Sequence, residues 1–431
     1  MKLEVRENLT SNILPYWLRL LDPRGGFYGE VKADGTVLRD ASRGVILNAR
    51  IIWSFAAAYQ AIPEKRYLMA AIYAKDWFLQ HFCDHKYGGV YWSVAADGTR
   101  EDTKKQLYAQ GFAIYGLSEL YKVTKDDEVL KAAVNIYRVV ETFFADKEFG
   151  GYTEALARDF SPLEDMSLSA HDINADKTMN SHLHILEAYA NLYQVWPDAG
   201  LKRAVEKLLD IIGTKVMNAD GHLQLYFRRD WSVLPGGISY GHDIETSWLA
   251  LECAFALKDD AIVERVRPWA LAMAQAGNEG LLPDGSMRYE RLLDGTFDDS
   301  RQWWVQAETV VGNLWLWKLY ADRGMSCRTP FRAWVSGSPK NGTFSWGELR
   351  GWHDLAGHTP ASHVMPDPIG HLQNAQAAWE YIRENLVDPI DGEWWWAILP
   401  DGSKDLSQPK AGFWKCPYHN TRMCLQVLSL V

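Results

Sequence analysis

Histidines at the starts of two widely separated segments are the residues best suited to chemistry in this sequence. His242 lies in GHDIETSW, and His419 lies in FWKCPYHNTRMC near the end of the chain. A histidine has an ordinary pKa close to 7, so it can take a proton from carbon and return one. Because the two histidines come from distant parts of the chain, they could flank one substrate from opposite faces.

The neighbours of His242 suggest how its ring could be held. Glu245 and Trp248 follow it at intervals of three residues, so the three side chains share one face of a helix. The positive end of the helix dipole is expected to lower the pKa of His242, and Glu245 is expected to orient the ring. The alternative is a capping cluster around a solvated histidine.

A third histidine comes from the segment KTMNSHLHILEAY. Lys177, Asn180 and His184 are spaced i, i+3 and i+7, which places them on one helical face. His182 lies about 200° from His184 around the helix, so at most one of the two faces inward from mid-helix. We predict that His184 faces inward. His182 is the alternative if the first turn is irregular, and otherwise it is a core residue.

Polar side chains in otherwise apolar segments complete the set. An arginine in VILNARIIWSF, Arg50, is costly unless it pairs with an acid or faces a ligand. Tyr108 and Glu308 lie in similarly apolar segments. Trp304 precedes Glu308 by four residues, so a stacking ring and a carboxylate share a face.

A Gly-aromatic signature recurs along the chain and predicts how these residues are positioned. It begins at Gly25, Gly88 and Gly150, with weaker copies at Gly221, Gly280 and Gly392. Spacings close to 60 residues indicate repeated supersecondary units. The last interval is longer by about 50 residues, which predicts an insertion at about 322–368.

Between these signatures the apolar residues recur with a helical period. The predicted helices span about 5–20, 42–60, 64–82, 105–123, 126–145, 180–196, 199–215, 242–257, 259–275, 302–321, 369–386 and 418–429. Two helices per repeat predict an all-α fold: an (α/α)6 barrel of six helical hairpins with short β-hairpin loops, in a single domain, 1–431. An open α-solenoid is the alternative. In a barrel the starts of the inner helices meet at one mouth.

The composition favours a carbohydrate site and excludes several other classes. Twenty tryptophans among 431 residues suggest a lined cleft, because flat rings pack on the C–H faces of sugars. A net charge of −10 argues against nucleic acid, and no apolar run is long enough to span a membrane. The charged N-terminus does not resemble a secretory signal, and the five cysteines form no CxxC pair, so a reducing cytoplasm is expected.

The sequence carries none of the usual cofactor motifs. It has no GxGxxG after a strand, no GxxxxGK[ST] and no GxSxG. His353, His358 and His363 are evenly spaced, but this spacing in an irregular loop matches no usual metal pattern. We therefore expect neither a cofactor nor a metal.

Proton transfer at C2 of a reducing sugar suits the candidate residues. In the open-chain sugar the C2 proton is acidic because C1 is an aldehyde, and its removal gives an enediolate. Arg50 or a protonated histidine could stabilise the oxyanion. One base that returns the proton to C1 would give a ketose, whereas two groups on opposite faces of C2 would give the epimer.

Four blocks resemble the N-acylglucosamine 2-epimerase superfamily, and most closely those of its members that act on cellobiose. They are KTMNSHLHILEAYANLY, GHDIETSWL, WWVQAETVVG and WKCPYHNTRM, in the expected order. The likeness runs along essentially the whole chain. It implies an (α/α)6 barrel and reversible epimerisation at C2 of the reducing-end glucose of β-1,4-linked disaccharides such as cellobiose, lactose and mannobiose.

The resemblance also implies roles for individual residues. His242 and His419 would be the acid/base pair, and His184 would act beside them at the reacting glucose. The expected substrate contacts are Arg50, Tyr108, Asn180, Glu245, Trp248, Trp303, Trp304, Glu308 and Trp414. Trp414 would face the second sugar, and the insertion would add contacts to it.

Rival functions stay open at this point. One rival is a relative that acts on monosaccharides, a mannose isomerase or an N-acylglucosamine 2-epimerase. Such an enzyme binds no second sugar and would not need the stacking surface of Trp414. An inverting glycosidase would need two carboxylates roughly 6.5–9.5 Å apart, from Asp243, Glu245 or Glu308. A sugar-binding module would need no acid or base. We expect a monomer that binds a disaccharide and no macromolecule.

Overall fold

The computed structural model describes residues 1–169, 172–321 and 368–431. In chain order its helices are α1 Lys2–Glu7, α2 Leu14–Leu18, α3 Val45–Ala61, α4 Lys65–His81, α5 Leu107–Thr124, α6 Asp127–Val139, α7 Met179–Tyr193, α8 Ala199–Ile211, α9 Tyr240–Ala256, α10 Asp260–Gly277, α11 Trp303–Ala321, α12 Pro368–Tyr381 and α13 Tyr418–Leu430. A π-helical segment, Asn8–Ile13, joins α1 to α2. Similar π turns, Val140–Phe144, Ile212–Val216 and Ile382–Leu386, follow α6, α8 and α12.

The helices form two concentric rings. Each of α3, α5, α7, α9, α11 and α13 contacts the next, and α13 returns to α3, so the inner ring closes. Each outer helix packs on an inner one: α4 on α3, α6 on α5, α8 on α7, α10 on α9, α12 on α11 and α1 on α13. This arrangement confirms the predicted (α/α)6 barrel, and the open solenoid is wrong.

The burial of each ring follows from its sequence pattern. The inner helices α3 and α5 are buried on nearly every face, whereas α6 and α8 bury one stripe and expose the other. An inner helix contacts core on both sides and therefore has to be apolar all round. No helix in the described ranges is both long and apolar enough to cross a membrane.

Two-residue strands connect the helices and lie at the barrel mouth. They are β1 Glu30–Val31, β2 Val37–Leu38, β3 Arg43–Gly44, β4 Ser93–Val94, β5 Arg100–Asp102 (three residues), β6 Lys105–Gln106, β7 Ala155–Leu156, β8 Lys177–Thr178, β9 Tyr226–Phe227, β10 Val233–Leu234, β11 Ile238–Ser239, β12 Glu290–Arg291, β13 Phe297–Asp298, β14 Arg301–Gln302 and β15 Ala397–Ile398. All pair antiparallel, in the orders β1-β2, β3-β4-β5, β6-β7, β8-β9-β10, β11-β12-β13 and β14-β15. Strands β3, β6, β8, β11 and β14 each run directly into an inner helix, which fixes the start of that helix at the mouth.

The Gly-aromatic signature corresponds to a repeated turn with a buried ion pair. Gly88 and Gly150 adopt φ of +88° and +75°, which favours glycine. Four residues before each of these glycines an aspartate binds a buried lysine from the strand that leads into the next inner helix. The pairs are Lys105 with Asp84 at 3.1 Å and Lys177 with Asp146 at 3.0 Å.

This ion pair corrects one prediction. Lys177 lies in β8, and α7 begins only at Met179, so Lys177 does not share a helical face with His184. A strand of two residues carries no periodicity that the sequence pattern could reveal. The predicted insertion, 322–368, lies outside the described residues except for Pro368, which begins α12, and so do His353, His358 and His363.

His182 is a structural residue of the barrel wall. Its Nδ1 lies 2.7 Å from the carbonyl oxygen of Thr178, and its Nε2 accepts the backbone N–H of Tyr152 at 3.0 Å. Both ring nitrogens are thus engaged within the protein. The interpretation of His182 as a core histidine is confirmed.

Replacing His182 with glutamine is expected to remove a pH-dependent cost of folding. Burial lowers the pKa of His182 to about 4, so below the ordinary histidine pKa the unfolded chain binds a proton that the folded protein excludes. This disfavours folding by about 2 kcal/mol more at pH 5 than at pH 7. We therefore expect His182→Gln to be less destabilising, relative to the native chain, at pH 5 than at pH 7. Urea unfolding at both pH values measures this, and an equal difference at both would contradict it.

Candidate active site

Three histidines from three inner helices share one hydrogen-bonding pattern. In each, Nδ1 contacts a side-chain oxygen: His184 with Glu187 at 3.0 Å, His242 with Ser239 at 2.7 Å and His419 with Glu308 at 2.8 Å. Within the described residues, Nε2 of each of these rings has no protein partner. This separates them from His182, whose two nitrogens are both used. A ring oriented through Nδ1 with Nε2 free is arranged to exchange a proton at Nε2.

Aromatic rings bring the three histidines together. The Trp304 ring centroid lies 4.7 Å from that of His242 and 5.7 Å from that of His419. Tyr108 meets His184 edge-on with centroids 5.1 Å apart. The charge of His184 in turn lowers the pKa of both His242 and His419. The structure therefore places the three predicted histidines around one space.

Burial dominates the electrostatics of the acid/base pair. It lowers the pKa of His242 to about 3, with the charge of His184 as a second cause. It also lowers the pKa of His419 well below the usual range, with Arg50 and Arg422 adding to the effect. The lowered pKa predicted for His242 is thus found, but its chief cause is burial and not the helix dipole. Both rings are neutral near pH 7 and able to act as bases.

Arg422 is the charged centre of the barrel, a role that was not predicted from the sequence. Its guanidinium binds three buried carboxylates: Glu187 at 2.6 Å, Glu308 at 2.7 Å, and Glu245. Arg422 follows His419 by one turn of α13, so it lies deeper along the barrel axis. One guanidinium thus holds the carboxylates that orient His184 and His419.

Donors around Glu308 fix the tautomer of His419. Arg422 donates to Oε1 of Glu308, and the indole N–H of Trp248 donates to Oε2 at 3.1 Å. A carboxylate that receives these bonds accepts a further one, so Nδ1 of His419 carries the proton that it shares with Glu308. In the neutral ring the lone pair therefore lies on Nε2.

The side chains predicted to support His242 lie deeper than expected. Glu245 contacts Arg422 and lies 3.9 Å from Nδ1 of His419, whereas Ser239 is the partner of His242. The prediction that Glu245 orients His242 is therefore wrong. Glu245 lies on the same face of α9 as His242 because it follows by three residues, but it is one turn further from the mouth. At that depth its side chain faces the barrel axis.

Two tryptophans predicted to contact the substrate are packed against other side chains of the barrel. Trp248 is 1% exposed, lies under the Arg422 guanidinium and donates to Glu308. Trp303 is 3% exposed, with Trp396 on one side and Lys415 over its ring. The sugar contacts expected of Trp248 and Trp303 stay a prediction.

The carboxylates of Glu245 and Glu308, both predicted to contact the substrate, are held by Arg422. Burial raises the pKa of Glu245 to about 7, and the charge of Glu308 adds to the shift. Burial likewise raises the pKa of Glu308, although Arg422 opposes it. Both side chains are almost fully buried behind His419. Their direct contact with substrate stays a prediction.

Arg50 is a buried cation that contacts no carboxylate in the part of the chain that the structure describes. Its Nη2 donates to the Tyr108 hydroxyl at 2.7 Å, and its guanidinium lies over the rings of Phe112 and Tyr418 at 4.1 and 4.8 Å. Cys416 Sγ is 3.9 Å from Nη1. Among the described residues Arg50 forms no ion pair, so the alternative of a structural ion pair is wrong. An unneutralised guanidinium of this kind is suited to a developing oxyanion.

Asn180 and Trp414 are two further predicted substrate contacts. The buried Oδ1 of Asn180 has no hydrogen-bond partner among residues 1–169, 172–321 and 368–431, which leaves an acceptor at the start of α7. Trp414 is half-buried against Tyr108 and Trp92, with centroids 6.1 and 5.8 Å apart. Beside it lies a cavity of about 440 Å³ lined by Trp92, Lys104, Asp165, Ser167, Leu168, Ser169, Phe413 and Trp414.

A strained residue holds the segment that carries Trp414 and His419. Glu393 is buried at φ +67°, a conformation that the first three repeats fill with glycine, as at Gly151 with φ +72°. Its carboxylate binds Lys415 at 2.6 Å, Asn420 at 2.6 Å and the indole N–H of Trp17 at 2.5 Å. The strain is typical of a functional region.

The contacts of Glu245 and Glu308 suit neither a metal site nor the catalytic carboxylate pair of a glycosidase. Ligand atoms of Glu245, Glu308 and His419 lie within 4.8 Å of one another, but Arg422 Nη2 already binds both carboxylates. The separation is also shorter than the roughly 6.5–9.5 Å of inverting glycosidases. Asp243 is engaged with His222 at 2.7 Å. These contacts disfavour both rivals.

Comparison with known proteins decides the family. The model of the N-acylglucosamine 2-epimerase (GlcNAc 2-epimerase) family matches residues 26–336. The chain belongs to the N-acylglucosamine 2-epimerase family. This confirms the resemblance found in the sequence.

Several members of this family are similar over their full length. A cellobiose 2-epimerase of Bacteroides fragilis is 41% identical, with 100% of this chain and 99% of the relative covered. One of Dictyoglomus turgidum is 31% identical, with 100% and 99% covered. The solved cellobiose 2-epimerase of Spirochaeta thermophila superposes with a TM-score of 0.84 at 33% identity, covering 100% of this chain and 96% of that one. A D-mannose isomerase structure, at 19% identity and a TM-score of 0.78, shares the fold.

Proposed function

We propose that this family member is a cellobiose 2-epimerase, which interconverts glucose and mannose at the reducing end of β-1,4-linked disaccharides such as cellobiose, lactose and mannobiose. The observation that carries the proposal is the set of three histidines, each fixed through Nδ1 and free at Nε2, beside an unpaired arginine. Full-length relatives at 31–41% identity that bear this name support it.

The geometry supports a two-base reaction on the open-chain sugar. Nε2 of one histidine of the pair His242 and His419 removes the proton from C2, and the electron pair moves to O1 to give a cis-enediolate. Arg50 stabilises the charge on that oxygen. The other histidine takes up a proton from solvent before the step and delivers it to the opposite face of C2. The first histidine then returns its proton to solvent, so the proton count balances and the reaction needs no redox partner.

Other residues of the mouth hold the sugar during this transfer. Tyr108 and Asn180 offer a hydroxyl and a free amide oxygen to O1 and O2, and His184 adds a free ring nitrogen. Trp304 supports both members of the acid/base pair. Trp414 faces the cavity in which we place the second sugar.

Incubation with cellobiose and analysis of the product by NMR tests the proposal. We expect glucosyl-mannose to accumulate to a constant ratio from either direction. A ketose product would favour the mannose-isomerase alternative, and free glucose would favour a glycosidase. Either of those products as the main one would contradict the proposal.

Replacing Trp414 with alanine is expected to weaken binding of the disaccharide more than its chemistry. Loss of one stacking ring should raise KM for cellobiose about tenfold and change kcat little, because the ring contacts the non-reacting sugar. Exchange of the C2 proton of free glucose serves as the matched control and is expected to be unchanged. An equal effect on glucose and cellobiose would place Trp414 at the reacting sugar instead.

Treatment with EDTA is expected to leave activity unchanged. The cation at the buried carboxylates is the guanidinium of Arg422, and every group in the reaction sequence is a side chain. Dialysis against the chelator followed by assay with cellobiose measures this. Loss of activity that an added divalent cation restores would contradict a metal-free site.

The proposal also covers the compartment, the oligomeric state, the number of domains and the cofactor requirement. We place the enzyme in the cytoplasm as a monomer with a single catalytic domain and no cofactor. The cysteines of the described region, Cys83, Cys253, Cys416 and Cys424, are all free, which suits a reducing compartment. Light scattering of the purified protein tests the monomeric state.

A further inference from the structure

Ser239 stands where a serine ordinarily caps a helix, but it contacts a histidine instead. It immediately precedes α9, and its side chain makes no hydrogen bond to the helix backbone. Its Oγ lies 2.7 Å from Nδ1 of His242. At the start of α7 the corresponding residue, Thr178, caps in the usual way and accepts the N–H of Ser181 at 3.1 Å. The two inner helices therefore use the same position differently.

Because Ser239 contacts His242 instead of capping α9, the helix loses a stabilising hydrogen bond, which suggests that the contact with His242 has a function. Serine is among the best capping residues because its oxygen satisfies a free N–H of the first turn, and α9 forgoes that contribution. Ser239 is buried in β11, which pairs with β12, so its oxygen is held in place. His242 is its side-chain partner, and Trp304 fixes the other side of the ring. The imidazole is thereby constrained at both its edge and its face.

We propose that Ser239 is a positioning residue for His242, an inference that rests on the proposed epimerase function. The serine hydroxyl accepts Nδ1–H, which puts the lone pair of the neutral ring on Nε2. The same hydrogen bond persists when Nε2 gains a proton, because Nδ1–H is present in both states. Ser239 thus serves His242 as Glu308 serves His419, but with a neutral oxygen in place of a carboxylate.

Three variants test the inference, and Ser239→Ala and Thr178→Ala have opposite expected effects. Ser239→Ala should lower kcat on cellobiose about tenfold, leave KM within twofold and leave Tm unchanged, because no helix cap is lost. Thr178→Ala should lower Tm, because it removes a cap, and leave kcat within twofold. Ser239→Cys keeps a side chain of similar size but offers only a weak sulfur acceptor, so it should lose kcat to a similar extent.

Proton exchange at C2 in D2O gives the decisive readout. In Ser239→Ala, exchange should slow about tenfold for one of the two epimers, cellobiose or glucosyl-mannose, and stay within twofold for the other. Full kcat in both Ser239 variants, or equal slowing for both epimers, would overturn the inference while leaving the proposed function intact. A native protein that does not epimerise cellobiose would overturn both.

Discussion

Alanine in place of His419 is expected to lower turnover of cellobiose by about 10²- to 10⁴-fold and to leave the fold intact. Nε2 of this ring is the proton-exchanging atom, and general acid–base catalysis by one side chain contributes about that factor. Glu308 keeps two donors after the change, Arg422 and Trp248, so its carboxylate stays satisfied. The loss should therefore appear in kcat and not in stability. His242→Ala should behave in the same way.

Replacement of an exposed histidine provides the matched control. His85 lies in a surface turn, and His85→Ala should retain full activity. Steady-state kinetics and circular dichroism on the three variants make the comparison. Turnover above about 10% in His419→Ala or His242→Ala would contradict the assigned role. Such a loss, less than about tenfold, is smaller than the roughly 10²-fold minimum expected when a general acid or base is removed.

Methionine in place of Arg422 is expected to reduce the free energy of unfolding by about 3–5 kcal/mol, because it leaves buried carboxylates without their cation. Arg422 bridges Glu187, Glu245 and Glu308 in the centre of the barrel. Burial raises the pKa of Glu187, but the charge of Arg422, with help from His184, more than offsets this and holds it at about 2. Without the guanidinium these groups repel one another or take up protons.

A surface arginine gives the comparison for this prediction. Arg383 pairs with Glu4 at 3.0 Å while both side chains are nearly half exposed, and Arg383→Met should cost less than about 1 kcal/mol. Adding Glu245→Gln to Arg422→Met should recover part of the loss by removing one carboxylate. Urea unfolding of these variants provides the free energies. A loss in Arg422→Met as small as that in Arg383→Met would contradict the central role of Arg422.

The fold was largely predictable because the repeats carry redundant information. Helical periodicity recurs in every repeat, and the glycine signature recurs at intervals close to 60 residues except for the last, which favours six similar units closed into a ring. The strand at Lys177 was missed because two residues are too short to show a period. Its ion pair with Asp146 bridges 31 residues, which no local pattern reveals.

The site was predictable in its histidines but not in their partners. His184, His242 and His419 lie at or near the starts of inner helices, where the fold places them together. Their partners depend on depth along the barrel, which a helical wheel does not give. Arg422 and Glu187 are 235 residues apart in sequence and meet only across the closed ring.

The sequence nevertheless contains a spacing that indicates Glu187 and Arg422 as partners. Glu187 follows His184 by three residues, and Arg422 follows His419 by three. In an inner helix, a charged residue one turn beyond an inward-facing histidine also faces the axis. A buried arginine and a buried acid at matching depth in different repeats are then expected to pair.

Solvent exchange in single-histidine variants tests the central claim most directly. His242→Ala and His419→Ala are each incubated in D2O with cellobiose and, separately, with glucosyl-mannose, and loss of the C2 proton signal is followed by NMR. If the two histidines flank C2, each variant retains exchange of one epimer only, and the two variants retain opposite ones. Exchange of the same epimer in both variants, or of neither epimer in both, would contradict the two-base account.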